Sequence, residues 1–369
     1  MRKTNQLYFV LILLIVSGTA CTRKINECRG RPLLVSNDIA WGESGTHQLD
    51  VMYTGCGGLW IGRGKQFIIT DPYYTGHSFG KVITGIFPDT TKTKDIIQLG
   101  SKHGMKANEA LAVLVSHSHY DHLEDLPWLL ASKNLGPNTK ILGSPTTSCS
   151  IRPWLNPQNF SNIDLSMHTP KSDTVKNLGK WLSIGDSIRV LPIQSSHAPH
   201  FYGVHLMRCK CKKKACCPDL SSNNKIPQKS GLAWKEGTTY SFLVDFLQGK
   251  DTLRVFIQSS SSHYPDGFPP REEIRKHKIN LAILCMASYK YVDQYPDKLI
   301  PFINADKTLI IHWENFFKDF LKNEPKSVPF TNPGKFYKRL LEIEEKDKVK
   351  DLEPAYRMPR PGVVVRFNY

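Results

Sequence analysis

His117-Ser-His119-Tyr-Asp121-His122 is the stretch on which the fold of this chain turns. Before it runs Leu111-Ala-Val-Leu-Val115, a continuous apolar segment that reads as a buried strand. After it, Leu123-Glu-Asp-Leu-Pro-Trp-Leu-Leu130 reads as the start of a helix. His117, His119, Asp121 and His122 therefore share one strand-to-helix turn. Side chains two apart on an extended segment point the same way, so His117 and His119 can grip one ion. Asp121 and His122 lie past the bend and can face a neighbouring ion. Imidazole with carboxylate suits zinc, and a site with an open position can activate water. The plainer alternative is a set of surface histidines on a polar turn. The strand-then-helix context argues against it.

Working outward, the chain supplies more strands that end on ligand-type residues. Segments 47–53 and 59–62 alternate as strands around the turn Gly55-Cys-Gly-Gly58. Gln66-Phe-Ile-Ile-Thr-Asp71-Pro72 is a third strand, and Pro72 ends its pairing, so Asp71 sits at a strand tip. A turn-capping aspartate is the alternative reading. Ser187–Gln194 is a strand that delivers Ser195-Ser-His197-Ala-Pro-His200. Thr238–Phe246 and Asp251–Gln258 form a hairpin around Gln248-Gly-Lys. Asn280–Cys285 and Lys307–Ile311 are apolar strands, the second ending directly on His312. Helices are expected near 122–132, 270–277, 315–322 and 335–348. Many strands with helices between and after them predict an α/β domain of packed layers.

Taken in order, these elements resemble the metallo-β-lactamase-fold hydrolases: Asp71 at a strand end, the HxHxDH turn, His197 after a later strand, His312 after a late strand. They span roughly residues 47 to 315. Two segments are similar to the branch containing N-acyl phosphatidylethanolamine-hydrolysing phospholipase D and ascorbate-6-phosphate lactonase. These are Thr54-Gly-Cys-Gly-Gly-Leu-Trp-Ile-Gly running into Ile69-Thr-Asp-Pro, and Leu309-Ile-Ile-His-Trp-Glu. The resemblance implies a four-layer αββα sandwich with the metals at one edge of its two sheets. It implies that His117, His119 and His197 hold one zinc, that Asp121, His122 and His312 surround a second, and that Asp71 orients ligands from behind. One or two zinc ions are expected, with another divalent metal as the alternative.

The chain departs from that pattern in one place. The family usually carries a bridging aspartate after the penultimate strand. Here Phe256-Ile-Gln-Ser-Ser-Ser-Ser262 stands there, with Ser260 at the aspartate position. A neutral hydroxyl removes a negative charge from between two dications and weakens the second site most. Asp266 is near in sequence. Three outcomes stay open: a mononuclear enzyme, a different second ion, or lost activity. His200 and His263 are left over. A proton-donor role is the functional reading for either, and a packing or surface histidine the plainer one.

Arg208-Cys-Lys-Cys-Lys-Lys-Lys-Ala-Cys-Cys217 holds four of the nine cysteines. Residues 209–236 read as a surface insertion near the mouth of the site. Disulfides are the first expectation there, thiol metal binding the second and free thiols the third. Cys285, in an apolar strand, reads as a buried inert thiol. Cys28, Cys56 and Cys149 carry no signal.

The N-terminus reads as a targeting segment. Arg2 and Lys3 precede an apolar run, Leu7–Val16, too short to span a bilayer. Ser17-Gly-Thr-Ala20 then leads into Cys21, which resembles a bacterial lipoprotein signal with Cys21 as the lipidated residue, although Gly18 replaces the usual leucine. Ordinary secretory cleavage is the alternative. The expected organisation is a signal over 1–20, a tether over 21–45 and the catalytic domain over 46–369, exported to the cell envelope. Loss of Arg2 and Lys3, with no acidic residue, takes the formal charge from +16 to +14. The basic residues are mostly scattered, so a generally basic surface is preferred to a specific anionic partner.

The function expected is therefore an exported hydrolase using a zinc-bound hydroxide on a phosphodiester, a phospholipid-type ester or a lactone. Its substrate is a small molecule or a lipid, its membrane contact is the lipid anchor, and export argues against nucleic acid. The alternative, favoured by Ser260, is a catalytically silent, metal-stabilised surface protein that binds a lipid or glycan.

Overall fold

The computed structural model describes residues 34–42, 48–163, 179–200, 203–209, 229–322, 326–346 and 355–369. Among them, two sheets of eight strands each are formed. The first runs, edge to edge, β1 (Leu34–Val35), β15 (Tyr356–Pro359), β14 (Lys307–Ile311), β13 (Leu281–Cys285), β12 (Asp251–Gln258), β11 (Thr239–Gln248), β10 (Ile188–Ser195) and β9 (Leu182–Ile184). The second runs β2 (Ile39–Trp41), β16 (Val364–Asn368), β3 (Gln48–Gly55), β4 (Gly58–Arg63), β5 (Gln66–Thr70), β6 (Ala112–Leu114), β7 (Lys140–Gly143) and β8 (Phe160–Asn162).

Side-chain alternation explains the layering. Leu59 and Ile61 of β4, Ile68 of β5, and Ala112 and Leu114 of β6 join the core shared with the first sheet. Their neighbours Trp60, Phe67, Ile69 and Val113 point the other way, into a second core. Successive side chains of a strand face opposite sides, so a strand buried on both faces reads as an apolar run. The second core is closed by α1 (Phe79–Thr84), α2 (Thr90–Lys102), α3 (Tyr120–Leu123), α4 (Leu126–Ala131) and α5 (Pro145–Ile151). On the first sheet, α6 (Arg271–Lys276), α7 (Leu299–Ile303) and α8 (Pro333–Lys346) complete the outer layer. The architecture is a four-layer αββα sandwich, as the resemblance implies.

The hairpin is as expected: Gln248 pairs with Asp251, and Gly249 supplies the left-handed φ of 58° that the two-residue turn requires. Other expectations are corrected. The tether cannot extend to residue 45, because β1 pairs with β15 and β2 with β16, each as an edge strand. The helix expected near 315–322 is a series of turns. The helix expected over 122–132 is two short ones, and Pro127 lies in the first turn of the second, where its missing N–H is tolerated. Helix α2 was not expected. Its start is Thr-rich, but Asp89 caps it, accepting from the N–H groups of Thr91 and Lys92.

The last part of the 209–236 stretch is not a surface insertion. Trp234 is fully buried, and the amide of Ser118 donates to the carbonyl of Glu236 at 2.8 Å. Residues 210–228 lie outside the described residues. Cys209 is disulfide-bonded, and so is Cys149, in which the sequence shows no signal. Cys285 is a free buried thiol, and burial pushes it up to about 12.

Candidate metal centre

Strand β6 ends at Leu114, and the next residues form the ligand turn along the sheet edge. Asp71, at the end of β5, anchors that turn from behind. Its carboxylate accepts from the Ser116 N–H at 2.7 Å and the Ser116 hydroxyl at 2.6 Å. His122 Nδ1 lies 3.0 Å from the same carboxylate. A donor at Nδ1 leaves Nε2 as a lone pair, so Asp71 sets the tautomer of His122. On the other flank, Ser118 Oγ lies 2.8 Å from Thr147 Oγ1. The turn is thus pinned on both sides and buried.

Three side chains then converge. Ligand atoms of His117, His119 and His197 all lie within 4.8 Å of one another. His197 follows β10, which carries it across from the other sheet. Its Nδ1 donates to the carbonyl of Ala198 at 2.6 Å, so Nε2 is a lone pair in the neutral ring. That lone pair faces His119 Nδ1 at 3.2 Å. His117 Nε2 is buried with no hydrogen-bond partner. Buried polar atoms seldom lack partners, and His119 Nε2 is a second buried ring nitrogen without one. A cation between the three rings resolves both anomalies, so the residues present fit a metal.

Electrostatics agree. Burial, reinforced by the neighbouring histidines, lowers His117 well below the ordinary imidazole range. Burial takes His119 down to about 3, and it lowers His197 likewise. The rings are neutral, the form that ligates.

A second group holds Asp121, His122 and His312 within the same limit. Asp121 Oδ2 is 3.5 Å from His312 Nε2 and 3.8 Å from His122 Nε2. Burial would raise the Asp121 carboxyl, but His122 and His312 outweigh it and hold it far below the usual carboxylate range. Burial would lower His122, but Asp71 and Asp121 outweigh it and raise it. His312 directly follows β14 with φ 55°, and its amide donates to the Tyr53 hydroxyl at 2.8 Å.

The remaining residues singled out in the sequence fall as follows. His200 stacks on His197 at 4.8 Å, and burial lowers it to about 4. His263 Nδ1 accepts from the Asp293 amide at 3.2 Å, and among the described residues His263 joins no ligand group. Ser260 is buried, and its hydroxyl accepts from the Ala198 amide at 3.1 Å. Asp266 is absent from the ligand groups of the described residues. Cys21 lies outside the described residues.

Two residues beside the centre escaped the sequence reading. Cys56 and Glu314 form a third ligand group with His312. Glu314 sits two residues past His312 and could have been found from that spacing. Nothing local marks Cys56.

The cleft at the centre is lined by Asp121, His197, His200 and His312 together with Tyr291, Phe316, Val328, Pro329 and Phe330. A larger cavity of about 460 Å³ beside His77, Lys81, Phe87 and Lys92 contains none of the clustered ligands.

Residues 93–221 match the family model described as the Beta-lactamase superfamily domain. Among curated proteins, none matches the chain by sequence. Among solved structures, it is similar to Igni18, described as a novel metallo hydrolase from Ignicoccus hospitalis: 12% identity, 88% of this chain, 100% of that one, TM-score 0.47. It is also similar to the metallo-β-lactamase-fold protein YhfI from Bacillus subtilis, with 12% identity, 86% and 98% coverage and TM-score 0.45. A third is CmlA, a diiron β-hydroxylase from Streptomyces venezuelae: 12% identity, 89% of this chain, 55% of that one, TM-score 0.46.

Proposed function

We propose that this chain is an exported metal-dependent hydrolase acting on a phosphodiester, a phospholipid-type ester or a lactone, in that order. The observation that carries the reading is the convergence of His117, His119 and His197, with an unpartnered buried Nε2 and two facing ring nitrogens. A divalent ion held there, zinc in the first instance, would supply Lewis acidity and make water nucleophilic near neutral pH. Asp121, between His122 and His312, would hold the attacking water or accept its proton. Asp71 keeps His122 in the ligating tautomer. Phe316, Val328, Pro329 and Phe330 exclude water and offer an apolar wall, which suits a substrate with an apolar part beside the scissile bond. The order of substrates rests on the resemblance of residues 54–62, 69–72 and 309–314 to the phospholipase D and lactonase branch.

A second reading is a silent, metal-stabilised binding protein, favoured by the neutral Ser260. Metal analysis of protein purified without chelator, with hydrolysis of a generic phosphodiester, separates the two. The expected result is at least one metal per chain and turnover, with His119→Ala losing the turnover and the ion of the His117–His119–His197 group. Stability should fall with the metal, by about 3–4 kcal/mol if the ion is present at 100–1,000 times its Kd. Full turnover in His119→Ala would sink the mechanism, and bound metal without turnover would favour the second reading.

A further inference from the structure

The Asp121–His122–His312 group offers a single carboxylate, and Ser260 adds no charge. A dication bound there would be short of anionic ligands. The structure places two more anionic-type donors on the far side of His312. Cys56 lies in the β3–β4 turn at φ 51°, fully buried and free. Glu314 is 1% exposed. Its carboxylate accepts from the Cys56 amide at 2.5 Å and, more closely still, from the Tyr53 hydroxyl. Tyr53 in turn accepts from the His312 amide, so one hydrogen-bonded chain ties the three residues together. Ligand atoms of Cys56, His312 and Glu314 lie within 4.8 Å of one another, all on buried residues. Independently of that cluster, His312 Nδ1 is buried with no hydrogen-bond partner, while Nε2 is the atom near Asp121.

We propose that Cys56 and Glu314 are metal ligands, forming with His312 a thiolate-containing site for a zinc-class divalent ion next to Asp121 and His122. The site deepens the hydrolase reading and rests on it. A thiolate selects zinc over magnesium, calcium or manganese. Binding displaces the thiol proton to solvent and forms the metal–sulfur bond, so no oxidant is needed. Glu314 and the thiolate bring the negative charge that Ser260 does not.

The test is a cobalt(II) titration of the chelator-stripped full chain, followed by the near-ultraviolet thiolate-to-cobalt charge-transfer band. The wild type is expected to bind two equivalents, one of them with the band. Cys56→Ser should lose that equivalent and the band together. Glu314→Gln should keep the band but bind that equivalent at least about tenfold more weakly. His119→Ala should lose the other equivalent and keep the band. A wild type without a thiolate band, or a band that survives in Cys56→Ser and so belongs to other cysteines, overturns the inference. Unchanged stoichiometry in His119→Ala would instead overturn the hydrolase reading, so the two failures are distinguishable. If Cys56→Ser fails to fold, Glu314→Gln still decides: a band-bearing equivalent unweakened in that variant overturns the inference.

Discussion

At the residue scale, the chemistry depends on side chains held in costly surroundings. Asp125 is an example outside the ligand groups. It accepts from the Tyr74 amide at 2.7 Å, the Thr93 hydroxyl at 2.9 Å and the Thr75 hydroxyl at 3.0 Å, tying the ligand turn to α2. Burial raises it from 3.8 to about 6, against those hydrogen bonds. Between these values the folded chain keeps a proton that the unfolded chain has released. Its contribution to stability therefore falls as pH rises from about 4 through about 6, and is flat above. Asn cannot titrate. Wild-type stability relative to Asp125→Asn should drop by about 2–3 kcal/mol between pH 4 and pH 7 in denaturant unfolding. A gap that does not change with pH would mean that Asp125 ionises normally. His312 was legible as the residue just past a strand and Asp71 as a strand end, while His117, His119, Asp121 and His122 stood out as one pattern on a strand-to-helix turn and His197 in the loop after a strand. Cys56 was not, because its contact with Glu314 joins residues 258 apart, and only the spacing of Glu314 to His312 offered a local signal.

At the element scale, the β3–β4 turn matters more than its length suggests. A Cβ on Gly57 would lie 2.3 Å from Asp71 Oδ2 and 2.7 Å from His122 Nδ1. Asp71 cannot retreat, since Ser116 holds both its oxygens. Gly57→Ala should therefore displace His122 and weaken binding of the second ion, the one beside Asp121, His122 and His312, by about 10–100-fold, as losses of ligand-orienting contacts do. Binding at the His117–His119–His197 group should hold. Calorimetric zinc titration reads the two separately, and an unchanged weaker site would show that His122 does not need this spacing. The sequence reads this segment as a turn between strands. That the turn is packed against a ligand is a tertiary fact, since Asp71 and His122 come from two other elements.

At the scale of the whole molecule, the N-terminal segment splits into parts of different use. Trp41, 1% exposed, packs edge-on to Phe367 at 6.5 Å, and Arg357 sits over its ring at 5.4 Å. A chain beginning at residue 43 lacks β1, β2 and this indole. It should be less stable than a chain beginning at residue 34 by at least about 3 kcal/mol, the scale of removing one buried Trp. Equal unfolding midpoints would show that both edge strands are dispensable. Among the described residues no helix is long and apolar enough to cross a membrane. We propose, from the short apolar run ending at a cysteine, that the chain is attached to a membrane through lipidated Cys21. Cys21→Ser should leave the chain unprocessed or release it from membranes, and wild-type fractionation and processing would refute the anchor.

Patterns carried by neighbouring residues were readable in advance. The sequence alone determined the α/β class, the hairpin at Gly249, the HxHxDH turn between β6 and α3, and the strand ends that deliver Asp71, His197 and His312. Each follows from apolar periodicity or from backbone preferences of a few adjacent residues. The tertiary structure decided the rest: that β1 and β2 close the sheet edges, that residues 315–322 turn rather than coil into a helix, and that Trp234 is core. It also decided that Cys56 and Glu314 meet at His312. These depend on which surfaces sheet packing brings together, and burial against a distant strand overrides local preference because it carries more free energy than a few residues' propensity.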